Sequence, residues 1–339
     1  MKLILAPMAA ISHSGLRRLI SEFGEPDEYF SEMIHAPSAL AESGFERWYF
    51  RASPSPEKLV WQISSPCADA AAKAVPVLLK HGGFGIDLNM GCSAPQIVNT
   101  GAGFAWMKKP CSETAGLVQK VKDAVLKYEK TETALKNQKE KHIRLSVKLR
   151  LGETEDYPAL YTFCNMLISE GVQLVTVHPR TRRQKYSRPC NHEYTARLAE
   201  DLNIPVYASG DINSLNKFSE YALRYKCSGW MIGRAAVQKP WIFSQIKTSL
   251  NPHMENGEQK YEIDLFQTAC RFLQLLTEEQ PEEFLLTRAQ RFFSYFCDNF
   301  SFAHYIKSKI LTCKTLDAMQ QKLAEYLAEV PEDKIYKLR

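Results

Sequence analysis

In the stretch Gly85-Ile86-Asp87-Leu88-Asn89-Met90-Gly91-Cys92-Ser93-Ala94-Pro95 a thiol follows directly on an apolar run that opens at a glycine. Such a run reads as a buried strand, and the small residues after it read as its exit turn. In a parallel barrel the reactive groups sit just beyond the C-terminal ends of strands, so Cys92 is placed to act. A lone cysteine is most often a small buried hydrophobe. Gly91 and the position after a strand argue against that reading here.

Lys148 and Arg150 flank Leu149, so strand alternation points both cations to one face, the interior of a barrel. Buried there, they need a partner: the ring edge or phosphate of a redox cofactor, or an interior carboxylate such as Asp87 or Glu32. His178 ends another apolar run and opens a loop with Arg180, Arg182, Arg183, Lys185 and Arg188 and no acid. A charge run is commonly a solvated loop, but one that follows a barrel strand can also hold phosphate. Ser209-Gly210-Asp211 and Gly233-Arg234 follow two later strand-like runs, and glycines there let backbone N–H groups approach an anion. Pro7-Met8-Ala9 could lie against a flat ring or be an ordinary turn. Gln62 is a polar side chain on an apolar strand and needs buried hydrogen-bond partners, which a flavin ring would provide.

Eight strand-like runs can position these groups: Lys2 to Ala6, Tyr29 to Ile34, Leu59 to Ile63, Phe84 to Met90, Leu145 to Leu149, Leu174 to His178, Pro205 to Ala208 and Gly229 to Ile232. Helical patterns at Ala68 to Lys80, Ser112 to Lys127, Tyr157 to Glu170 and Leu215 to Tyr225 alternate with them. That alternation predicts an α/β fold, a (β/α)8 TIM barrel over residues 1–248. Asp264 to Leu327 carries apolar residues at helical spacing without strand signals, which predicts a C-terminal all-helical domain over residues 249–339. The polar segment Tyr128 to His142 reads as a solvated helix extension or a surface insertion.

The 339 residues are 45% hydrophobic, ample for a packed core. No apolar run reaches membrane-spanning length and the short N-terminal run ends at Pro7, so a soluble, cytoplasmic protein is expected. Nine scattered cysteines without a C-x-x-C pair predict reduced thiols, neither a disulfide framework nor a metal site. A net charge of +5 permits a polyanionic partner.

LAPMAAISHSGLRRL, SEMIHAPSAL, VWQI, IDLNMGCSAP with NTGAGFAWMKKP, VKLRLG, VHPRTRRQKY, IPVYASGDI and MIGRAAVQKPWIF occur in the order and spacing of one family, over nearly the whole chain. The sequence resembles the bacterial tRNA-dihydrouridine synthases, and the short lead before APM and the VNTGAG loop lie nearer to the C-type subgroup. The resemblance implies FMN in a TIM barrel, a C-terminal helical domain that binds tRNA, and NADPH as reductant of the flavin. It implies that Pro7, Met8, Ala9, Gln62, Lys148 and His178 contact FMN, with Ser209, Gly210, Asp211, Gly233 and Arg234 around its ribityl chain and phosphate. Hydride would pass to one carbon of a uridine C5=C6 bond, and Cys92 would protonate the other. Arg180, Arg182, Arg183, Lys185, Arg288 and Arg291 would face the tRNA, and no obligatory protein partner is implied.

Ser93, Pro179, Ser209 and the bulky Trp106 depart from the family's usual residues, which puts the details of the FMN contacts and the loop shape in question. The rival enzyme reading is an FMN barrel acting on a free small molecule of dihydroorotate or dihydropyrimidine type. The rival of another class is a flavin- or RNA-binding protein without catalysis, against which Cys92 and Lys148 argue.

Overall fold

A computed structural model of the chain describes residues 1–41, 44–136, 142–184, 187–251 and 262–338. Strands β1 (Lys2–Leu5), β2 (Glu28–His35), β3 (Leu59–Ser64), β4 (Gly85–Asn89), β5 (Arg144–Arg150), β6 (Leu174–His178), β7 (Val206–Ser209) and β8 (Gly229–Ile232) pair in sequence order into a closed parallel barrel. The seam closes through β1 and β8, with Lys2 opposite Gly229 and Leu5 opposite Ile232. All eight runs anticipated from the sequence are strands. Buried on both faces, parallel strands read as near-continuous apolar stretches, which is why they were legible.

The four helical patterns appear as Ala68–Leu79, Cys111–Lys136, Tyr157–Ser169 and Leu215–Arg224. Helix Cys111–Lys136 carries the first half of the polar segment as an extension, while residues 137–141 lie outside the described residues. No helix among the described residues is long and apolar enough to cross a membrane.

The barrel interior is layered. At the N-terminal end Arg144 grips Glu28 with two bonds of 2.8 and 2.6 Å, and Lys2 and Tyr207 each add one of 2.8 Å. Burial pushes the Glu28 carboxyl up, but Arg144 foremost, then Lys2 and Tyr207, hold it below the usual range. Above this plug lies an apolar layer of Ile4, Phe30, Val60, Leu174, Tyr207 and Met231, separate from the core between strands and helices. Polar side chains reappear only above it.

After Ile242–Leu250 the chain forms helices Leu265–Glu279, Glu282–Phe296, Ala303–Leu311 and Leu316–Glu329. Their core is aromatic, with Phe272 stacked on Phe292 at 3.7 Å between ring centroids. A short antiparallel pair, β9 (Glu262–Asp264) and β10 (Ile335–Lys337), brackets them. The helices pack on the barrel through ion pairs: Arg18 with Glu278 and Glu279, Arg271 with Glu22, and Arg288 with Glu32.

Candidate active site

A relay of hydrogen bonds fixes the backbone around Cys92. Ser146 Oγ donates to Asp87 Oδ1 (2.7 Å), Gln62 Nε2 donates to Asp87 Oδ2 (2.8 Å), and Asn89 Nδ2 donates to Gln62 Oε1 (2.9 Å). Asn89 Oδ1 then accepts from the Gly91 and Cys92 N–H groups at 3.3 and 3.0 Å. Arg150 Nε donates to the Gly91 carbonyl at 2.9 Å, and the Phe104 N–H donates to that of Cys92 at 2.9 Å. Gly103 has φ +60°, and a Cβ on it would stand 2.7 Å from the Cys92 carbonyl oxygen. The backbone is therefore held while the side chain remains partly exposed. Asn89, Asp87 and Arg150 carry this arrangement. Their i, i+2 spacing on β4 and β5 is the signal that sequence reading left unused for Asn89.

Gln62 meets the requirement of a buried amide inside the protein, through Asn89 and Asp87. One of its two amide N–H bonds is engaged by Asp87. Burial pushes the Asp87 carboxyl up to about 6, against Gln62, Ser146 and Lys148, which favour its ionised form.

Lys148, between Asn89 on β4 and Thr176 on β6, has no ion-pair or hydrogen-bond partner among the described residues. Burial first and Arg150 second pull its ammonium down to about 8, against the opposing pull of Asp87, Cys190 and Cys92. A half-buried cation without an acceptor is costly, and a ligand offering carbonyl oxygens or an anionic ring edge would relieve it. Lys148 thus fits a flavin.

Across the barrel, the β1–β8 seam brings Met8 against Gly233, where a Cβ would stand 3.3 Å from Met8 Sδ. Pro7 is partly exposed and Ala9 exposed. Gly233 precedes the short helix Arg234–Gln238, with Arg234 exposed at its start. Gly210 has φ +120°, and a Cβ on it would lie 2.4 Å from Cys190 Sγ and 3.2 Å from the His178 ring, so this turn requires glycine. Ser209 is buried beside it, and Asp211, itself at φ +60°, accepts from the Cys190 N–H at 2.6 Å. Backbone N–H groups of two glycine turns on neighbouring strands suit an anion.

The β6 loop differs from its expected role in part. Arg180 is only 3% exposed: it pairs with Asp211 at 2.6 Å, donates to the Arg188 carbonyl, and reaches His178 Nε2 at 2.9 Å. Its guanidinium turns inward and does not present itself to a polyanion. Burial foremost, then Lys148, Arg150 and Arg180, pushes His178 well below its ordinary value, so the imidazole is neutral, and the Arg180 donor makes Nε2 the acceptor. Arg182 pairs with Glu153 at 2.9 Å, Arg183 is exposed, and Lys185 lies outside the described residues. In the helical region Arg291 is exposed, but Arg288 is 3% exposed and bonded to Glu32 at 2.8 Å, so it too is corrected from a surface contact to a buried one.

The fold and its mouth together put the chain among the (β/α)8-barrel enzymes with chemistry on post-strand loops. A sequence profile described as Dihydrouridine synthase (Dus) matches residues 4–330, and the chain belongs to that family, which makes it a flavin-dependent oxidoreductase. It is 32% identical over 260 residues to the probable tRNA-dihydrouridine synthase of Rickettsia bellii (strain RML369-C), covering 76% of this chain and 73% of that protein. It is 28% identical over 344 residues to the tRNA-dihydrouridine(16) synthase of Neisseria meningitidis serogroup B (strain MC58), covering 97% and 96%. Among solved structures it resembles a histamine dehydrogenase from Rhizobium sp. 4-9, with a TM-score of 0.53 at 10% identity over 81% of this chain and 49% of that one. A 2-naphthoyl-CoA reductase complex gives a TM-score of 0.51 at 9% identity, over 75% and 50%. The chain spans about half the length of these two structures, and the likeness is one of fold alone.

Proposed function

We propose that this protein reduces the C5=C6 bond of a uridine in tRNA to 5,6-dihydrouridine, with FMN at the barrel mouth, NADPH as reductant and Cys92 as proton donor. The observation that carries the reading is the fixed Cys92 loop beside Lys148, an ammonium without a partner among the described residues. When bound, FMN supplies the means of carrying hydride from NADPH to one carbon of the uracil ring. Lys148 and the remaining N–H of Gln62 would hold the ring's oxygen-rich edge, with neutral His178, Pro7, Met8 and Ala9 also lining it. Ser209, Gly210, Asp211, Gly233 and Arg234 would form the cradle for the ribityl chain and phosphate. Cys92 Sγ–H gives its proton to the second carbon of the ring, and the thiolate left behind is reprotonated from solvent.

A buried pyrimidine must leave the folded RNA to reach such a site. The helical region, residues 249–339, would bind tRNA alongside the barrel domain, residues 1–248. Supporting this, Phe302 and Tyr305 are 60% and 50% exposed on the outside of that region, with Lys309 Nζ 5.5 Å from the Tyr305 ring centroid. Exposed aromatics beside a cation suit stacking with unpaired bases. Arg182, Arg183 and Arg291 would add charge, and the reaction would take place in the cytoplasm.

Purified protein reduced with NADPH in the absence of oxygen is expected to be reoxidised by unmodified tRNA, with dihydrouridine appearing in the RNA. Reoxidation by dihydropyrimidine-type small molecules but not by tRNA would assign the rival small-molecule enzyme.

The Lys148 contact has its own pH signature. In the flavin-free protein its ammonium is charged below about pH 8 and neutral above. A ligand that accepts from the charged form therefore binds more weakly as pH rises through that value. FMN affinity measured by calorimetry is expected to fall between pH 7 and pH 9.5, and Lys148→Met to remove the dependence while weakening binding at pH 7 by about tenfold or more, the value of a charge-assisted hydrogen bond. An unchanged affinity in the variant would overturn the contact.

A further inference from the structure

The segment that follows Cys92 is fastened at its far end by residues that no step above uses. Trp106 is buried, and its Nε1 donates to the Ser65 carbonyl at 2.7 Å, just past the end of β3. Lys109 Nζ stands 3.4 Å from the centroid of the Trp106 ring and donates to the Pro66 carbonyl at 3.2 Å. Thr114 Oγ1 donates to the Trp106 carbonyl at 2.9 Å, which ties the same residue to the next helix. Two residues earlier in the chain, the Phe104 N–H holds the Cys92 carbonyl, and Gly103 passes so close that a Cβ would collide with that oxygen.

From these contacts we propose that Trp106 and Lys109 form a clamp that sets the position of the Cys92 thiol over the barrel mouth. They are positioning residues, since their polar contacts are with the Ser65 and Pro66 carbonyls and Thr114 and not with the reacting groups. The logic is mechanical: the Cys92 loop leaves β4, which is fixed, and returns through Phe104 to Trp106. With the indole bond and the cation over its ring in place, the loop is anchored at both ends. With them removed, the far end keeps only the Thr114 bond to the Trp106 carbonyl, and the sulfur gains freedom where proton delivery tolerates little. Displacements of about 1 Å at a reacting group can cost up to about 100-fold in rate. The clamp also accounts for the bulk of Trp106, since a smaller side chain would leave the Ser65 carbonyl without this donor.

The inference rests on the reading of Cys92 as proton donor, and the test separates the two. Trp106→Phe keeps an aromatic ring, though a smaller one, and removes the N–H; Lys109→Met keeps the indole bond and removes the cation. In each holoprotein, alkylation of Cys92 by iodoacetamide is followed without tRNA, the site being located by peptide mass spectrometry, alongside flavin reduction by NADPH and reoxidation by tRNA. The expected result for Trp106→Phe is Cys92 alkylation faster by about threefold or more, as for a loop that opens locally, with NADPH reduction within about twofold of the parent. Reoxidation by tRNA is expected to slow by about tenfold to 100-fold at saturating tRNA, a change in kcat more than in KM. Lys109→Met is expected to follow in the same direction with smaller changes, and it carries the test if Trp106→Phe does not fold. Unchanged Cys92 alkylation in both variants overturns the clamp. So does a parallel slowing of the NADPH step, which would mark general damage. If the parent is not reoxidised by tRNA, the proton-donor reading fails, while the alkylation comparison still decides the clamp.

Discussion

Replacing Cys92 with alanine is expected to cut uridine reduction by about 100-fold to 10,000-fold, the usual contribution of a positioned general acid, while flavin reduction by NADPH stays within about twofold. The asymmetry follows from where the residue stands. Its backbone is held by Asn89, Arg150 and Phe104, so removing the sulfur leaves the loop's own hydrogen bonds in place. What disappears, in the proposed reaction, is the proton for the second carbon. Rapid mixing of reduced protein with tRNA measures the loss directly. Cys92→Ser tests the same point from the other side, since a hydroxyl is a weaker acid at the same position and should recover only a small part of the rate. Equal losses in both half-reactions would show that Cys92 supports the cofactor pocket and does not serve as the acid.

Arg288→Met is expected to destabilise the protein by about 3 kcal/mol, near the lower end of the 3–5 kcal/mol typical when one partner of a buried ion pair is removed. Glu32 is 4% exposed and would be left as a buried carboxylate with Oε1 already lacking a partner among the described residues. The lower end applies because Arg17 also lies within electrostatic reach of Glu32. Glu32→Leu combined with Arg288→Met should regain most of the loss, because an apolar pair of similar volume can replace a buried ion pair. Urea unfolding of the two singles and the double measures this as a cycle. Full additivity of the two singles would overturn the coupling. Since this pair joins β2 to helix Glu282–Phe296, the single variant should also lose tRNA-dependent reoxidation more readily on mild heating than NADPH-dependent reduction.

Arg288 also marks where sequence reading stops. Its charge in an otherwise basic window looks like a surface feature, and the carboxylate that claims it is 256 positions away in the chain. Arg180 is drawn inward in the same way by Asp211, and Trp106 finds its acceptor at Ser65, 41 positions back. A local window records a donor but not its destination. The barrel was legible for the opposite reason, because each strand's burial is written in its own apolar run. Cys92 and Lys148 were legible because strand alternation and a following glycine are local too. Asn89 fell between these cases: its place on the strand was visible, but its bonds to the Gly91 and Cys92 N–H groups depend on the exact turn that follows.

The plug of Glu28, Arg144, Tyr207 and Lys2 fills the N-terminal end of the barrel, opposite the polar mouth. Beneath the polar mouth, among the described residues, lie an apolar floor and an ionic base of hydrogen-bonded side chains. In the reaction proposed above, NADPH and the uridine both approach through that mouth and take turns there. Steady-state measurements over a grid of both substrates should give parallel double-reciprocal lines, and the RNA should inhibit competitively against the nicotinamide at high concentration. In that proposed reaction the reprotonation of Cys92 likewise waits for the product to withdraw.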